Sequence, residues 1–156
     1  MFRLVLILGL LWSTIGYTKS LKEEFIERVE GCLQVTDSPD IPIKLIIGTA
    51  ALESGWGTSR FAKEGNNLFG IRTFDSDTPQ MKPLDNPNAN FGVKVYADYC
   101  DSVYDYIDTI ETNHSYVQFR VLRDKGYSLN VLVDSLGNYA QNPSYTIILS
   151  KVIRGI

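Results

Sequence analysis

The chain has a single histidine, His114, and only two cysteines, Cys32 and Cys100. That scarcity removes much common enzyme chemistry. A catalytic zinc site generally takes three protein ligands, often several of them histidine. One His and two distant Cys without metal-ligand spacing make a poor site, so no metal is expected. A Ser-His-Asp or Cys-His apparatus would need His114 as its base. His114 follows Asn113 at a predicted helix end, where a capping or surface residue is the simpler expectation. No GxGxxG or GxxxxGK(S/T) pattern occurs, so Gly55 and Gly57 do not form a phosphate loop and no cofactor is expected. Positive charge is not in excess either. The net charge of −3 supplies no basic field for nucleic acid, nor any electrostatic attraction to an anionic membrane or wall. No apolar run reaches the length of about 20 residues that a membrane span needs. No apolar surface stripe stands out beyond those a core requires, and a monomer is expected. Carboxylate chemistry remains.

What is present suits one domain. The chain has 156 residues, 44% hydrophobic and 21% charged, an ordinary globular balance. Residues 1–18 read as an export signal. Arg3 opens it, Leu4 to Trp12 is apolar with one Gly, and Ser13, Thr14, Gly16 and Thr18 follow as small or polar residues. An uncleaved N-terminal anchor is the alternative. Cleavage near Gly16 to Thr18 would leave one domain over 19–156 in a periplasmic or extracellular location. In such an oxidising compartment Cys32 and Cys100 can form a disulfide, or stay as two buried thiols. Sequence separation alone does not decide between them.

The periodicity predicts a helix over 20–34, with Phe25, Ile26, Val29 and Leu33 on one face. After the turn at Asp37-Ser38-Pro39-Asp40, Pro42 suits the first turn of a second helix reaching Ser54. This second helix is apolar nearly all round and is expected at the centre. A helical turn over Thr58–Lys63 follows, stopped by Gly65. Asn66 to Arg72 is expected to be a turn and a short strand. Residues 73–90 read as an irregular loop or small hairpin, and Phe91–Tyr96 as a returning strand. Helices are then predicted from Ala97 to Asn113, Ser115 to Asp124, Ser128 to Leu136 and Ser144 to Arg154. The fold class is mainly α (α+β), a helical lobe facing a small β-hairpin lobe across a cleft, the lysozyme-type layout.

In that layout the second helix delivers one carboxylate, Glu53, to the cleft. An apolar surround and the negative end of a helix dipole both disfavour ionisation. A raised pKa is what a glycosidase general acid requires. The plainer alternative is a helix C-terminus with Glu53 solvated and Gly55 as the terminator.

The segment Ile41-Pro42 through Ala51-Leu52-Glu53-Ser54-Gly55-Trp56-Gly57-Thr58-Ser59-Arg60-Phe61-Ala62 resembles the family-73 glycoside hydrolases, bacterial endo-β-N-acetylglucosaminidases of lysozyme-like fold. Asn66-Asn67-Leu68-Phe69-Gly70-Ile71 is similar to the family's next segment. Val93 to Tyr96, Ser102-Val103, Tyr106, Thr112 to Tyr116 and Phe119-Arg120 resemble its C-terminal half, nearest the Bax-like branch. Tyr139-Ala140-Gln141-Asn142-Pro143-Ser144-Tyr145 is similar to a tyrosine-alanine-x-x-proline-x-tyrosine motif of the family. The resemblance covers nearly all of the expected mature chain.

It implies that Glu53 protonates the glycosidic oxygen and that Tyr139 lines the cleft beside it, core packing being the other use of Tyr139. Trp56 either packs under the turn that aims Glu53 or meets a sugar. Asn67, Phe69 and Gly70 would form the cleft wall, and Asn67 can bind an N-acetyl or hydroxyl group or cap its own turn. Tyr145 suits core and cleft equally. The sequence departs from the pattern in two respects. The aspartate in some relatives' C-terminal motif is absent, and Asn142 stands there. Some relatives place a second acid, a glutamate, in the β element, and residues 66–96 contain no Glu, only Asp75, Asp77 and Asp85. Each of these reads as a solvated turn residue, so a second catalytic carboxylate stays unassigned. The implied activity is hydrolysis of β-1,4 bonds after N-acetylglucosamine in peptidoglycan glycan strands. A lytic transglycosylase or a non-catalytic peptidoglycan-binding module are the alternatives.

Overall fold

The computed structural model describes residues 19–34, 40–137 and 144–156. The expected export signal over 1–18 lies outside them. In chain order the elements are α1 (Leu21–Leu33), α2 (Ile43–Ser54), α3 (Arg60–Gly65), β1 (Arg72–Thr73), β2 (Gln80–Met81), β3 (Gly92–Lys94), α4 (Tyr99–Thr112), a 3-10 turn (His114–Tyr116), α5 (Val117–Asp124), α6 (Leu129–Ser135) and α7 (Tyr145–Arg154). Among the described residues no helix is long and apolar enough to cross a membrane.

α2 is the axis of the helical lobe. Leu45 to Ala51 are buried without interruption, so this stretch has no solvent face. Each fully buried Leu or Ile contributes about 1.5–3 kcal/mol relative to exposure. α1 covers one side of α2 with Phe25, Val29, Cys32 and Leu33. Its start is fixed by a capping box in which the Glu23 N–H donates to Ser20 Oγ (3.2 Å) and the Ser20 N–H donates to the Glu23 carboxylate (2.8 Å).

α7 covers another side, at closer range. A Cβ built on Gly48 would lie 2.5 Å from Ile153 Cγ1 and 3.5 Å from Leu149 Cδ1. Position 48 must therefore be glycine for the two helices to approach this closely. Leu149 and Ile153 sit late in α7 against the middle of α2. The start of α7 therefore lies against the end of α2, and the pair runs antiparallel.

The β lobe is a three-stranded antiparallel sheet in the order β1-β3-β2. Arg72 pairs with Val93 and Thr73 with Gly92, while Gln80 pairs with Lys94 and Met81 with Val93. The irregular loop or small hairpin expected over 73–90 thus contributes an edge strand, β2. Two clamps hold the lobe to the helices. Asp105 on α4 accepts hydrogen bonds from Lys94 Nζ (2.7 Å) and the Tyr96 hydroxyl (2.6 Å). Asn66, at the end of α3, donates to the carbonyls of Tyr96 and Ala97, each at 3.0 Å.

Two sequence expectations meet the structure here. Cys32 and Cys100 form a disulfide across Cα atoms 5.1 Å apart, tying the end of α1 to the start of α4. The strand expected within 66–72 is present only at its end, Arg72. Asn66 takes the left-handed conformation at φ 51°, which a strand does not allow, and the next residues are held by the Asn67 side chain instead of by a ladder.

Gly48→Ala is expected to cost about 1–3 kcal/mol through overpacking against Ile153. Gly31→Ala is the contrast, because nothing lies within 4 Å of a Cβ at that exposed helical site. It should stabilise the protein by about 0.5–1 kcal/mol. Urea denaturation of both variants checks the pair.

Candidate active site

α2 stops where its burial stops. Gly55 caps it in the left-handed conformation at φ 59°, Trp56 follows at φ 59°, and Gly57 continues at φ 75°. Three left-handed residues in a row turn the chain sharply, and glycine at two of them avoids the Cβ penalty. The Trp56 N–H reaches back to the Ala51 carbonyl (2.9 Å), the six-to-one bond of a Schellman-type ending. Ser54 locks the turn from inside. Its buried hydroxyl donates to the Ala50 carbonyl (2.6 Å) and accepts from the Gly57 N–H (2.8 Å).

Trp56 packs on α1. Its ring meets Phe25 edge-on at 5.8 Å, and Lys22 Nζ lies 5.1 Å from the ring centroid. The same Lys22 ammonium donates to the Gly155 carbonyl just past α7. A Cβ on Gly57 would lie 3.1 Å from the Phe25 ring. The turn after Glu53 is thus seated on α1 and cannot swing freely. Of the two uses open to Trp56, this geometry supports the packing one.

Glu53 sits at the last turn of α2, open to solvent on one side. Enough protein surrounds its carboxyl that partial burial pushes its pKa up, while a hydrogen bond from the Tyr145 hydroxyl pulls the other way. The net direction is upward. Tyr145 is the first residue of α7 and half-buried; burial first, then the Glu53 charge, keep its phenol protonated. Tyr106, on α4, is fully enclosed and also feels the Glu53 charge. Its hydroxyl faces Thr49 on α2, whose buried Oγ1 falls short of a well-formed hydrogen bond. Tyr116, from the 3-10 turn, interacts with both other phenols. Glu53 therefore stands beside two tyrosines from separate helices, Tyr145 and Tyr106, and Tyr116 adjoins that pair.

The expected cleft-wall residues divide. The Phe69 ring is buried and stacks on Tyr106 at 4.0 Å with planes 4° apart. It backs this tyrosine. Asn67 is 1% exposed and fully used within the protein. Its amide donates to the carbonyls of Ile71 (3.0 Å) and Lys94 (2.9 Å), and its oxygen accepts from the Phe69 and Ile71 N–H groups. That fills the hydrogen-bonding capacity of the side chain, so of its two uses the structure supports capping the local turn. Gly70 is exposed at φ 67° and borders a cavity of about 370 Å³ in the β lobe, with Phe61, Arg72, Asp85 and Phe91 among its lining residues. Asp75 organises its own turn, accepting from the Asp77 N–H (3.0 Å) and the Thr78 hydroxyl (2.9 Å). Tyr139 lies outside the described residues.

The family model described as mannosyl-glycoprotein endo-beta-N-acetylglucosaminidase matches residues 31–156. The chain belongs to this glucosaminidase family. It is similar to protein bax of Escherichia coli (strain K12), 28% identical over 106 residues that cover 64% of this chain and 37% of bax. It is also similar to peptidoglycan hydrolase FlgJ of Escherichia coli O157:H7, 25% identical over 126 residues covering 73% of this chain and 40% of FlgJ. The chain thus spans less than half the length of either curated relative. Its fold matches the catalytic domain of the autolysin Auto from Listeria monocytogenes with a TM-score of 0.72, at 22% identity, over 91% of this chain and 88% of that one. The lysozyme-like, mainly helical layout read from the sequence is therefore the fold of this glucosaminidase domain.

One residue that matters to the geometry was not singled out from sequence. Ser54 is a buried polar residue in an apolar helix, which was a usable signal. Tyr145, left open between core and cleft, shares a helix face with Leu149 and Ile153 and also meets Glu53.

Two measurements test this geometry. Ser54→Ala strands the Gly57 N–H and should cost about 1–3 kcal/mol in urea denaturation. Glu53→Gln should be more stable than the wild type at neutral pH. The folded state disfavours the ionised Glu53, so the wild type loses stability as pH rises from the ordinary carboxyl range through the raised pKa. The advantage of the amide should vanish below about pH 4, where the carboxyl is protonated folded and unfolded alike. Thermal melting across pH reads the difference.

Proposed function

We propose that this protein is an endo-β-N-acetylglucosaminidase that hydrolyses β-1,4 bonds after N-acetylglucosamine in bacterial peptidoglycan, with Glu53 as the general acid. One observation carries the assignment of the acid: a carboxyl with raised pKa, held by a phenol at the exposed end of a buried helix. Family membership supports the reaction class, and the relative named peptidoglycan hydrolase FlgJ supports the polymer.

In the reaction Glu53 gives its proton to the glycosidic oxygen as the C1–O bond breaks, and the departing sugar leaves as a neutral alcohol. Positive charge builds at C1, and water completes the hydrolysis. Asp85 is the candidate for the water-side carboxylate, because it borders the β-lobe cavity while the Asp75 carboxylate is committed to its own turn. The enzyme acts as an exported monomer, without metal or cofactor, in the periplasm or outside the cell. The basic-then-apolar start of the chain supports export. So does the disulfide between Cys32 and Cys100, a bond that persists in oxidising compartments.

The test is digestion of purified peptidoglycan by the wild type, Glu53→Gln and Asp85→Asn, with borohydride reduction of the new ends and mass spectrometry. Reduced N-acetylglucosamine ends are expected from the wild type. Glu53→Gln should lose at least about 100-fold in rate, the scale of general acid catalysis. Anhydro-sugar ends would reassign the protein to the lytic transglycosylases. Full activity in Glu53→Gln would remove Glu53 from the mechanism, and full activity in Asp85→Asn would remove Asp85.

A further inference from the structure

The Glu53 carboxyl has two oxygens, and a general acid needs its proton on the one that faces the substrate. Nothing within a carboxyl group itself makes that choice. The partner supplied by α7 does. The packing of α7 on α2 brings the Tyr145 hydroxyl to the Glu53 carboxyl, where the two groups interact as donor and acceptor. Tyr145 is half-buried and its phenol is held protonated, so it is a donor throughout the range in which a carboxyl titrates. A carboxyl oxygen that accepts from a phenol is a poor place for a proton.

We propose that Tyr145 is a positioning residue: its hydroxyl holds one oxygen of the Glu53 carboxyl, so that the other oxygen carries the transferable proton into the cleft. The proposal rests on the glucosaminidase reading and adds to it the residue that orients the acid. In the step itself, the free oxygen of Glu53 releases its proton to the glycosidic oxygen, and the bonding pair of the broken C1–O bond stays on that oxygen. The carboxylate left behind keeps the Tyr145 hydrogen bond.

The placement of Tyr145 follows from the helix pair. Gly48 admits Leu149 and Ile153 against the middle of α2. Tyr145 lies four residues before Leu149, on the same helical face, and meets the end of α2 where Glu53 stands. The other groups facing this point are also phenols: Tyr106 from α4, and Tyr116 from the 3-10 turn, which interacts with both Tyr106 and Tyr145.

Tyr145→Phe removes the hydroxyl and keeps the ring, so the packing of α7 should survive; circular dichroism and thermal melting check this. Two readouts then apply to the wild type and Tyr145→Phe. The first is the titration of Glu53 by carbon NMR on protein with labelled glutamate side chains, its signal assigned from the Glu53→Gln spectrum. The second is the pH dependence of kcat and KM for release of reducing ends from purified peptidoglycan. Loss of a donor to the carboxylate disfavours ionisation, so the Glu53 midpoint should move to higher pH, and the alkaline limb of the rate should move with it. The maximum kcat should fall about ten-fold or more with KM within about two-fold. A purely structural role for Tyr145 would move neither the titration nor the limb.

The proposal is overturned if Glu53 titrates identically in both folded proteins, or if KM takes the whole loss. If the wild type digests no peptidoglycan, the glucosaminidase reading falls. The NMR titration alone then decides whether Tyr145 governs Glu53: a raised midpoint supports it, and an unchanged one overturns it.

Discussion

The rest of the structure depends on one constraint, the burial of α2 on every side from Leu45 to Ala51. A helix with no solvent face must be enclosed by other elements. Here α1 and α7 pack directly on it, while Tyr106 of α4 faces its Thr49. The closest of these contacts is possible only because position 48 has no side chain. Where the enclosure ends, the chain must turn away within a few residues, and the Gly55-Trp56-Gly57 turn does so through three left-handed conformations. Glu53 lies at that boundary. It is surrounded enough for its ionisation to be disfavoured, and exposed enough to meet a substrate.

The helical lobe was legible because its signals are local. Apolar spacing located α1, α4 and α7, and an unbroken apolar run marked α2 as central. The family motif around Glu53 and Asn67 singled out the carboxyl at the end of α2 and the turn that opens the β lobe. What was not legible depends on contacts distant in sequence or on side chains that replace backbone pairing. Asn66 and Asn67 look like a turn before a strand. Yet the Asn67 amide makes four hydrogen bonds to backbone, two of them to donors and two to acceptors, and holds 67–71 as a loop. The Cys32–Cys100 bond required a distance that sequence does not contain. Tyr145 has a core residue's spacing, and only the antiparallel register of α7 on α2 brings its hydroxyl to Glu53.

The division of labour among the aromatic residues has the same origin. Phe25 and Trp56 seat the turn on α1, and Phe69 backs Tyr106. These rings hold the turn after Glu53 and the ring of Tyr106 in place. The phenols are the polar members of the group: Tyr145 of α7 and Tyr106 of α4 both feel the Glu53 charge, and Tyr116 of the 3-10 turn interacts with those two phenols. The β lobe contributes differently. Its backbone is pinned by Asn67 and by the Asp105 clamp to Lys94 and Tyr96, while Gly70, Arg72 and Asp85 open onto its cavity.

The antiparallel docking of α7 on α2 also bears on how the molecule acquires its reactivity. Glu53 and Tyr145 belong to the second and the last helix, so their contact closes a large loop of chain and is entropically late to form. A collapsed intermediate can hold every helix and still lack this pairing. Its Glu53 carboxyl would lack both the burial that disfavours ionisation and the phenol that favours it. The balanced environment of Glu53 is therefore a property of the completed tertiary structure and of no single helix.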